Sequence, residues 1–223
     1  MPIPPLNATP APWPEPVVLE GRYVRLEPLD PAAHTAALWE AAGGAERDAL
    51  WTYLFAGPFP ERADFERHIA AKSAATDALF FAIVDQGSDL ATGYACYMRI
   101  EPAHRSIEVG NILYAPALQR TRAATDAMYL MARHAFEDLG YRRYEWKCNA
   151  ENQASRHAAL RLGFTFEGIF RQHMIVKGRN RDTAWFSMLD LEWPARKAAF
   201  ERWLNPANFD AAGKQRTRLS LGR

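Results

Sequence analysis

The apolar residues of this chain change their spacing from one segment to the next, and these changes predict both strands and helices. Residues 79–84 form a continuous apolar run, which is typical of a strand buried on both faces. Residues 143–148 alternate instead, so that Tyr144, Trp146 and Cys148 share one face. A strand or a hairpin is predicted over residues 17–26, and further strands over residues 90–100, 106–114, 165–176 and 183–192, with a hairpin turn at residues 178–180.

Amphipathic segments predict the helices between these strands. The clearest helix covers residues 121–139, where Ala124, Met131 and Leu139 lie on the apolar face and Gly140 ends the helix. Because this helix connects the strands at 106–114 and 143–148, those two strands are expected to be parallel. The pattern therefore predicts an α/β (α+β) fold around one sheet. Further helices are predicted over residues 31–41, 61–75, 152–162 and 194–204.

The proline content and polarity of the two ends predict three regions. Residues 1–16 form a Pro-rich arm that wraps the domain or stays mobile, and they lack the basic start and apolar run of a signal peptide. Residues 17–204 form the domain. Residues 205–223 form a polar, basic tail that is expected to be disordered. The arm and the helix ending at residue 204 are candidate contacts for a homodimer.

Composition limits the classes of function that this chain can have. It has 223 residues, of which 48% are hydrophobic, and its 27 basic residues nearly balance its 26 acidic residues. Near-neutral charge argues against a dedicated nucleic-acid or membrane-surface protein, and no apolar run approaches the roughly 18–20 residues that span a bilayer. The sequence predicts a cytoplasmic protein without nucleic-acid or membrane partners.

Cysteine and histidine give no sign of a metal site. Cys96 and Cys148 are far apart and belong to no Cys-x-x-Cys pair, so they are expected to be buried thiols in a reducing compartment. The six histidines show no spacing that would place two of them on one helix face. We predict no bound metal.

The polar loop before the helix at 121–139 is a candidate anion site. Unpaired N–H groups at a helix start can bind an anion, and Arg120 and Arg122 add two positive charges there. The loop suits a pyrophosphate, although both arginines could instead be solvated surface charges. The chain has no Gly-x-Gly-x-x-Gly or Gly-x-x-x-x-Gly-Lys motif, which argues against a nucleotide-binding enzyme.

Several short motifs follow one another in a distinctive order. They are Arg99-Ile100-Glu101-Pro102, Ile107-Glu108-Val109-Gly110, Ala124-Thr125-Asp126-Ala127, Cys148 to Ser155, Arg161-Leu162-Gly163-Phe164 and Glu167-Gly168. In this order they resemble the GNAT family of acyl-CoA N-acyltransferases, and within it the ribosomal-protein-alanine (RimJ/RimL-type) acetyltransferases. The likeness covers residues 17–193. It implies the GNAT fold, a central mixed and mostly antiparallel sheet flanked by helices.

The resemblance implies that acetyl-CoA is the cosubstrate and assigns residues to bind it. At the central position of the pyrophosphate loop the family has glycine, whereas this chain has Arg122, which needs ordinary helical φ or strain. Asn152 is expected at the pantetheine arm, although its side chain could instead, or also, cap a helix. The implied cofactor-binding residues are Ile112, Leu113, Gln119, Arg120, Thr121, Arg122, Ala123, Ala124, Thr125, Asn149, Asn152 and Ser155.

The resemblance also implies two catalytic residues. Glu108 is the candidate general base, in an apolar neighbourhood that could raise its pKa, or else it is a structural carboxylate. Ser155 takes the place of the usual tyrosine acid, because no tyrosine lies between Ala150 and Asn180. Backbone N–H groups of residues 111–113 are candidate oxyanion donors. Met174 stands where RimL-like proteins carry a further carboxylate.

These observations predict acetyl transfer from acetyl-CoA to a primary amine by direct attack on the thioester. The acceptor is a small molecule or a protein N-terminus. The alternative is a non-catalytic acyl-CoA-binding sensor or scaffold. Aromatic residues between the first two helices could form the acceptor pocket or belong to the core, namely Trp39, Trp51, Tyr53, Phe55 and Phe59.

Overall fold

The computed structural model describes residues 8–220, so part of the Pro-rich arm and the last three residues lie outside it. The strands of this range are β1 (Leu19–Glu20), β2 (Val24–Pro28), β3 (Ala78–Asp85), β4 (Ala91–Glu101), β5 (Ser106–Tyr114), β6 (Arg143–Asn149), β7 (Thr165–Val176) and β8 (Arg179–Leu189). Its α-helices are α1 (Pro31–Ala42), α2 (Arg62–Ser73), α3 (Arg122–Arg133), α4 (Gln153–Arg161) and α5 (Trp193–Leu204).

The strands form one sheet in the order β1-β2-β3-β4-β5-β6-β8-β7. Neighbouring strands are antiparallel, except that β5 and β6 run parallel. Helix α3 makes the crossover between these two strands, because a parallel pair cannot be joined by a tight turn. The predicted α/β fold, with a single mixed and mostly antiparallel sheet, is confirmed.

Helices cover both faces of the sheet, and the alternation along β3 shows how. Phe81 faces a core that includes Met131 of α3. The neighbouring Phe80 faces a second core with Leu38 of α1 and Ile69 of α2. Because successive side chains of a strand point to opposite faces, α3 and α5 lie on one side of the sheet and α1 and α2 on the other.

Helix α3 confirms the predicted position of the longest helix, with one difference near its end. The α-helical hydrogen bonding stops at Arg133, and His134–Asp138 continue as a π-helical turn. Gly140, at a φ of 66°, then reverses the chain as predicted.

The hairpin between β7 and β8 corrects a prediction. The turn consists of Lys177 and Gly178, with φ values of 51° and 73°, and β8 already begins at Arg179. Two residues with positive φ form the kind of turn that matches the twist of a hairpin. The prediction of a turn at residues 178–180 and of a strand starting at residue 183 is therefore wrong.

The described part of the C-terminal tail is folded against the domain, contrary to the predicted disorder. Pro206–Asn208 form a turn of 3-10 helix. Phe209 is buried and packs edge-on against Trp203, with ring centroids 5.1 Å apart. The Trp203 indole donates a hydrogen bond to Gln215. One aromatic residue thus anchors a segment whose overall polarity had predicted disorder.

Residues 8–16 of the Pro-rich arm lie along the domain, which is one of the two predicted alternatives. The Ala11 N–H donates to the Pro102 carbonyl oxygen, and the Tyr141 hydroxyl donates to that of Pro12. The apolar side of α5 is also used within the molecule, because Phe200 and Trp203 are buried in the core shared with α3. That side of α5 is therefore not free to contact a second copy of the chain.

Candidate functional site

The candidate site begins where β5 and β6 separate. Their pairing ends at Val109 and Trp146, although β5 continues to Tyr114 and β6 to Asn149. Past that point the two strands leave a gap between them. The gap is flanked by the first turns of α3 and α4, because α3 follows β5 and α4 follows β6.

Strand β5 is bulged along this gap. Gly110 pairs with Cys96 of β4 and Leu113 pairs with Tyr94, so two residues of β5 lie opposite one residue of β4. Asn111 takes up the extra residue with a φ of 48°, a conformation that asparagine tolerates better than most side chains. The backbone of residues 111–113 therefore has no strand on its β6 side, as the predicted oxyanion donors require.

The start of α3 leaves backbone donors unpaired. The Thr121 hydroxyl accepts from the Ala124 N–H at 3.1 Å and so caps the helix. In the described part of the chain, the N–H groups of Arg122 and Ala123 have no acceptor. Such groups, at the positive end of the helix dipole, can hold an anion.

The loop has a positive φ, which usually favours glycine, at Arg120 and not at the predicted position, Arg122. Arg122 is the first residue of α3, so the missing central glycine causes no strain there. Arg120 instead has a φ of 62°, the left-handed conformation that usually favours glycine. The loop therefore has a left-handed residue two positions before the helix, and an arginine adopts that unfavourable conformation.

The two loop arginines have different surroundings. The Arg122 guanidinium lies over the ring of Tyr23 at 4.5 Å and that of Phe209 at 5.5 Å. Arg120 is exposed. The Gln119 side chain folds back onto the end of β5, since its amide donates to the Tyr114 carbonyl oxygen. Arg120 and Arg122 are both exposed, but Arg120 contacts no ring or acceptor in the described chain, so it is the freer of the two to reach a phosphate.

Thr125, one of the predicted cofactor residues, lies beneath the loop. Its side chain is buried, and its hydroxyl accepts a hydrogen bond from Arg161 of α4 at 3.0 Å. This bond ties α3 to α4 across the gap. The Thr125 side chain therefore supports the loop from beneath, and its contact with the cofactor stays a prediction.

Asn152 and Asn149 shape the start of α4. The Asn152 side-chain oxygen accepts from the Ser155 N–H at 3.0 Å, so the capping alternative is confirmed, and the amide nitrogen remains available as a donor. The Asn149 side-chain oxygen accepts from the Glu151 N–H at 2.9 Å. Both asparagines thus use an acceptor to hold the turn that joins β6 to α4.

Ser155 lies beside the β6 edge of the gap. Its hydroxyl oxygen accepts a hydrogen bond from the Trp146 indole at 3.0 Å. The buried Cys148 thiol, whose pKa burial raises, lies nearby. The indole occupies one acceptor position of the Ser155 oxygen and leaves the hydroxyl proton free for donation to another group.

Glu108 is not in the apolar neighbourhood that the sequence predicts. It is 2% exposed, and its Oε2 atom lies 2.9 Å from both Arg99 and Lys147. Its Oε1 atom has no hydrogen-bond partner in the described chain and lies next to Gly110. The prediction failed because the two cations come from β4 and β6, which only the pairing of strands places beside β5.

The cations of this face belong to a chain of ion pairs that the sequence did not reveal. Lys147 also contacts Glu145 at 2.5 Å, and Arg143 bridges Glu145 and Glu167 at 2.6 Å each. The alternation along residues 143–148 was the available signal, because it places Glu145 and Lys147 on the face opposite Trp146. The sequence could not show which charges would meet.

His173 and its neighbours lie near the Met174 position and were also missed. The Nδ1 atom of His173 lies 3.0 Å from the Thr183 hydroxyl. Desolvation, followed by the charges of Arg99, Arg181 and Lys147, lowers the pKa of His173. A neutral imidazole therefore stands on the same side of the sheet as Glu108.

The aromatic residues between α1 and α2 divide into two groups. Trp51 is 1% exposed and packs edge-on against Phe59, so these rings belong to the core, as does Trp39 at its border. Tyr53 and Phe55 are exposed, at 39% and 38%. These two rings are the ones that can contact a ligand.

The described residues contain no group of His, Cys, Asp and Glu arranged to hold a metal ion. In the same part of the chain, no helix combines the length and the apolar character needed to cross a membrane.

Comparisons with known proteins agree with this geometry. The family model of the acetyltransferase (GNAT) domain matches residues 24–165. A crystal structure of a GCN5-related N-acetyltransferase from Brucella melitensis is 52% identical, covers 96% of each chain and has a TM-score of 0.93. A GNAT-family protein from Chromobacterium violaceum ATCC 12472 is 43% identical with a TM-score of 0.80, over 87% of this chain and 98% of its own.

Two further relatives bear on the ribosomal branch. YdaF of Bacillus subtilis (strain 168), provisionally named a ribosomal N-acetyltransferase, is 29% identical over 98 residues. The match covers 44% of this chain and about half of YdaF, 53%. RimL, the ribosomal L7/L12 alpha-N-protein acetyltransferase, shares the fold, with a TM-score of 0.66 at 20% identity over 78% of this chain and 94% of its own.

Proposed function

This chain belongs to the acetyltransferase (GNAT) family, as its motifs indicated, and we propose that it transfers an acetyl group from acetyl-CoA to a primary amine. In this proposal the amine attacks the thioester directly. The observation that carries it is the gap between β5 and β6, which has unpaired backbone donors at the start of α3 and Ser155 at the start of α4.

The residues around the gap fit the parts of acetyl-CoA. The N–H groups of Arg122 and Ala123 would hold the pyrophosphate at the positive end of α3, with the Arg120 side chain beside them. The free amide nitrogen of Asn152 would donate to the pantetheine arm. When bound, acetyl-CoA supplies the activated acyl group, and this chain supplies its orientation.

The catalytic roles fall to groups on opposite faces of the sheet. Ser155 would donate a hydrogen bond from its hydroxyl to the leaving thiolate, since its oxygen already accepts from Trp146. The free Oε1 atom of Glu108 would take a proton from the ammonium, directly or through water, while Arg99 and Lys147 hold Oε2. Glu108 thus keeps one oxygen, and Ser155 its hydroxyl hydrogen, for the reaction.

The acceptor of this proposal is a small molecule or a peptide N-terminus. The name of YdaF favours the second class, because it refers to a ribosomal substrate for that relative. The exposed rings of Tyr53 and Phe55 lie where an acceptor would enter from the α1 and α2 side. They would contact the acceptor near its amine.

The experiment that tests the proposal is a screen of primary amines and N-terminal peptides for release of the CoA thiol from acetyl-CoA. The full chain should release thiol with at least one amine, and mass spectrometry should find the acetylated product. Calorimetry with acetyl-CoA runs in parallel. Tight binding without thiol release for any amine would instead favour the non-catalytic sensor or scaffold.

A further inference from the structure

Arg181 of β8 is a buried cation to which no carboxylate of residues 8–220 is paired. The residue is 6% exposed, and its Nε atom is buried without a hydrogen-bond partner in the described chain. Its guanidinium lies over the ring of Phe55, 4.8 Å from the centroid. An aromatic face attracts a cation but does not accept the hydrogen bonds that a guanidinium can donate.

The nearby charges do not neutralise Arg181. Glu108 is close enough to attract it, but the Oε2 atom of that carboxylate is already held by Arg99 and Lys147. Arg99 also repels it, and desolvation is the main reason that the pKa of Arg181 is lowered. A buried charge is costly unless something pairs with it, so this arrangement is unfavourable for the free protein.

The position of Arg181 connects it to the acceptor side of the gap. Along β8, Arg181 lies on the same face as Trp185, which stands opposite Lys147 of β6. This is the face of Glu108. Next to Arg181, the Asp182 carbonyl oxygen accepts from the Ala150 N–H, which joins this end of β8 to the turn before α4.

We infer that Arg181 binds a carboxylate of the acceptor, so that the amine substrate of this protein is an anionic one. The inference rests on the proposed function and names the substrate class of that same site. One unpaired guanidinium matches one carboxylate, which it can bind through two parallel hydrogen bonds. The carboxylate belongs to a free amino acid or to an acidic residue near a peptide N-terminus.

Calorimetry with matched acceptors in the presence of CoA tests the inference. The probes are α-amino acids beside their carboxamides, and the peptides Ala-Glu-Ala-amide and Ala-Gln-Ala-amide. The acid of at least one pair should bind about tenfold more tightly than its amide, and the pair that shows this difference identifies the source of the carboxylate. Equal binding in every pair, or no binding, would overturn the inference.

Variants show whether the preference comes from Arg181. In Arg181→Met the difference between acid and amide should disappear, whereas Arg202→Met should keep it. Arg202 is an exposed arginine of α5, which lies on the other side of the sheet. A preference for the acid that survives in Arg181→Met would contradict the assignment.

Two further readouts separate this site from a structural role and from the proposed function. Because Arg181→Met removes an unpaired buried charge, its melting temperature should equal or exceed that of the wild type, and a large decrease would indicate a structural residue. Acetyl-CoA affinity should not change, and its loss would assign Arg181 to the cofactor. Acid binding that depends on Arg181, without thiol release for any amine, would leave the inference standing and reject acetyl transfer.

Discussion

Single residues in this protein derive their chemistry from groups that adjoining strands place beside them. Glu108 has one oxygen held by two cations, whereas its other oxygen has no hydrogen-bond partner in the described chain. Ser155 shows the same division, since its oxygen accepts from Trp146 while its proton is available. Both side chains are held in place without losing the atom that the reaction would use.

Replacing Glu108 tests its assignment as the base. We expect Glu108→Gln to lower kcat by about a hundredfold, because general-base catalysis contributes on the order of 10²–10⁴ in rate. Acetyl-CoA affinity should be unchanged, as measured by calorimetry beside the thiol-release assay. The control is Glu101→Gln, which changes an exposed carboxylate at the end of β4. A kcat within a few-fold of the wild type would transfer the role to His173 or to water.

His68 makes the stability of the protein depend on pH. Its imidazole lies among Trp51 and Phe59, with Nε2 3.0 Å from the Tyr94 hydroxyl. Burial, and then the charge of Lys72, lowers the pKa of His68 to about 4. The unfolded chain therefore binds a proton below about pH 6.5 that the folded chain does not, so stability present above pH 6.5 is lost as the pH falls towards 4.

We expect the melting temperature of the wild type to fall more between pH 7 and pH 4.5 than that of His68→Gln. Thermal unfolding followed by circular dichroism at both pH values measures the difference. His157→Gln is the control, because His157 is exposed on α4 and should leave the pH dependence of the wild type intact. Parallel curves for wild type and His68→Gln would show that burial of this imidazole costs nothing.

The candidate site could be predicted from the sequence only in part at this scale. Asn152 and Ser155 are brought to the gap as expected, because both belong to one short segment at the start of a helix. Arg99 and Lys147 could not be assigned to Glu108. Their contact depends on the register of three strands, and no local pattern specifies that register.

At the scale of elements, the start of α3 combines a helix cap, unpaired donors and a left-handed arginine. Thr121 fixes where the helix begins, and the first two N–H groups remain free as a result. The positive φ of Arg120 carries the chain from the end of β5 into that helix. The loop therefore keeps the donors of the family without its central glycine.

Two arginine variants test this loop. We expect Arg120→Ala to weaken acetyl-CoA binding about tenfold, since an exposed guanidinium at the helix start can contact phosphate. Arg122→Ala should weaken it much less, because that guanidinium lies over Tyr23 and Phe209. Calorimetry measures both. The opposite order would mean that Arg122 turns towards the phosphates on binding, and unchanged affinity in both would reject the phosphate role.

Regular elements were easier to predict than the turns between them. The strands over 106–114 and 165–176 are confirmed residue for residue, because long runs of alternating or apolar side chains mark them. The start of β8 was missed because Arg179 and Asn180 are polar residues on an exposed part of the hairpin. Polarity marks solvent contact there and does not distinguish a turn from a strand.

At the scale of the whole molecule, residues far apart in the sequence meet at the start of α3. Tyr23, in the turn between β1 and β2, lies on one side of the Arg122 guanidinium, and Phe209 of the tail lies on another. The tail was expected to be disordered from its overall polarity. The buried Phe209 ring, the Trp203–Gln215 hydrogen bond and the bonds of Asn208 to the backbone of residues 216 and 217 hold it.

Removing the Phe209 ring tests whether the tail stabilises the domain. We expect Phe209→Ala to lower the free energy of unfolding by about 3 kcal/mol, the usual cost of deleting a buried phenylalanine side chain. Urea unfolding measures this change. The control is Leu191→Ala, because Leu191 is 88% exposed and its truncation should be nearly neutral. If both variants unfold alike, the tail adds nothing to stability.

The gap between β5 and β6 opens on both faces of the sheet, and a different segment of the chain borders it on each face. The turns before α3 and α4 border one side, whereas Phe55 lies against Arg181 on the side of Glu108. Mutations around Phe55 need not disturb those turns. Under the proposed function, descendants of this protein could therefore diverge in the amine that they modify while keeping the same acyl donor.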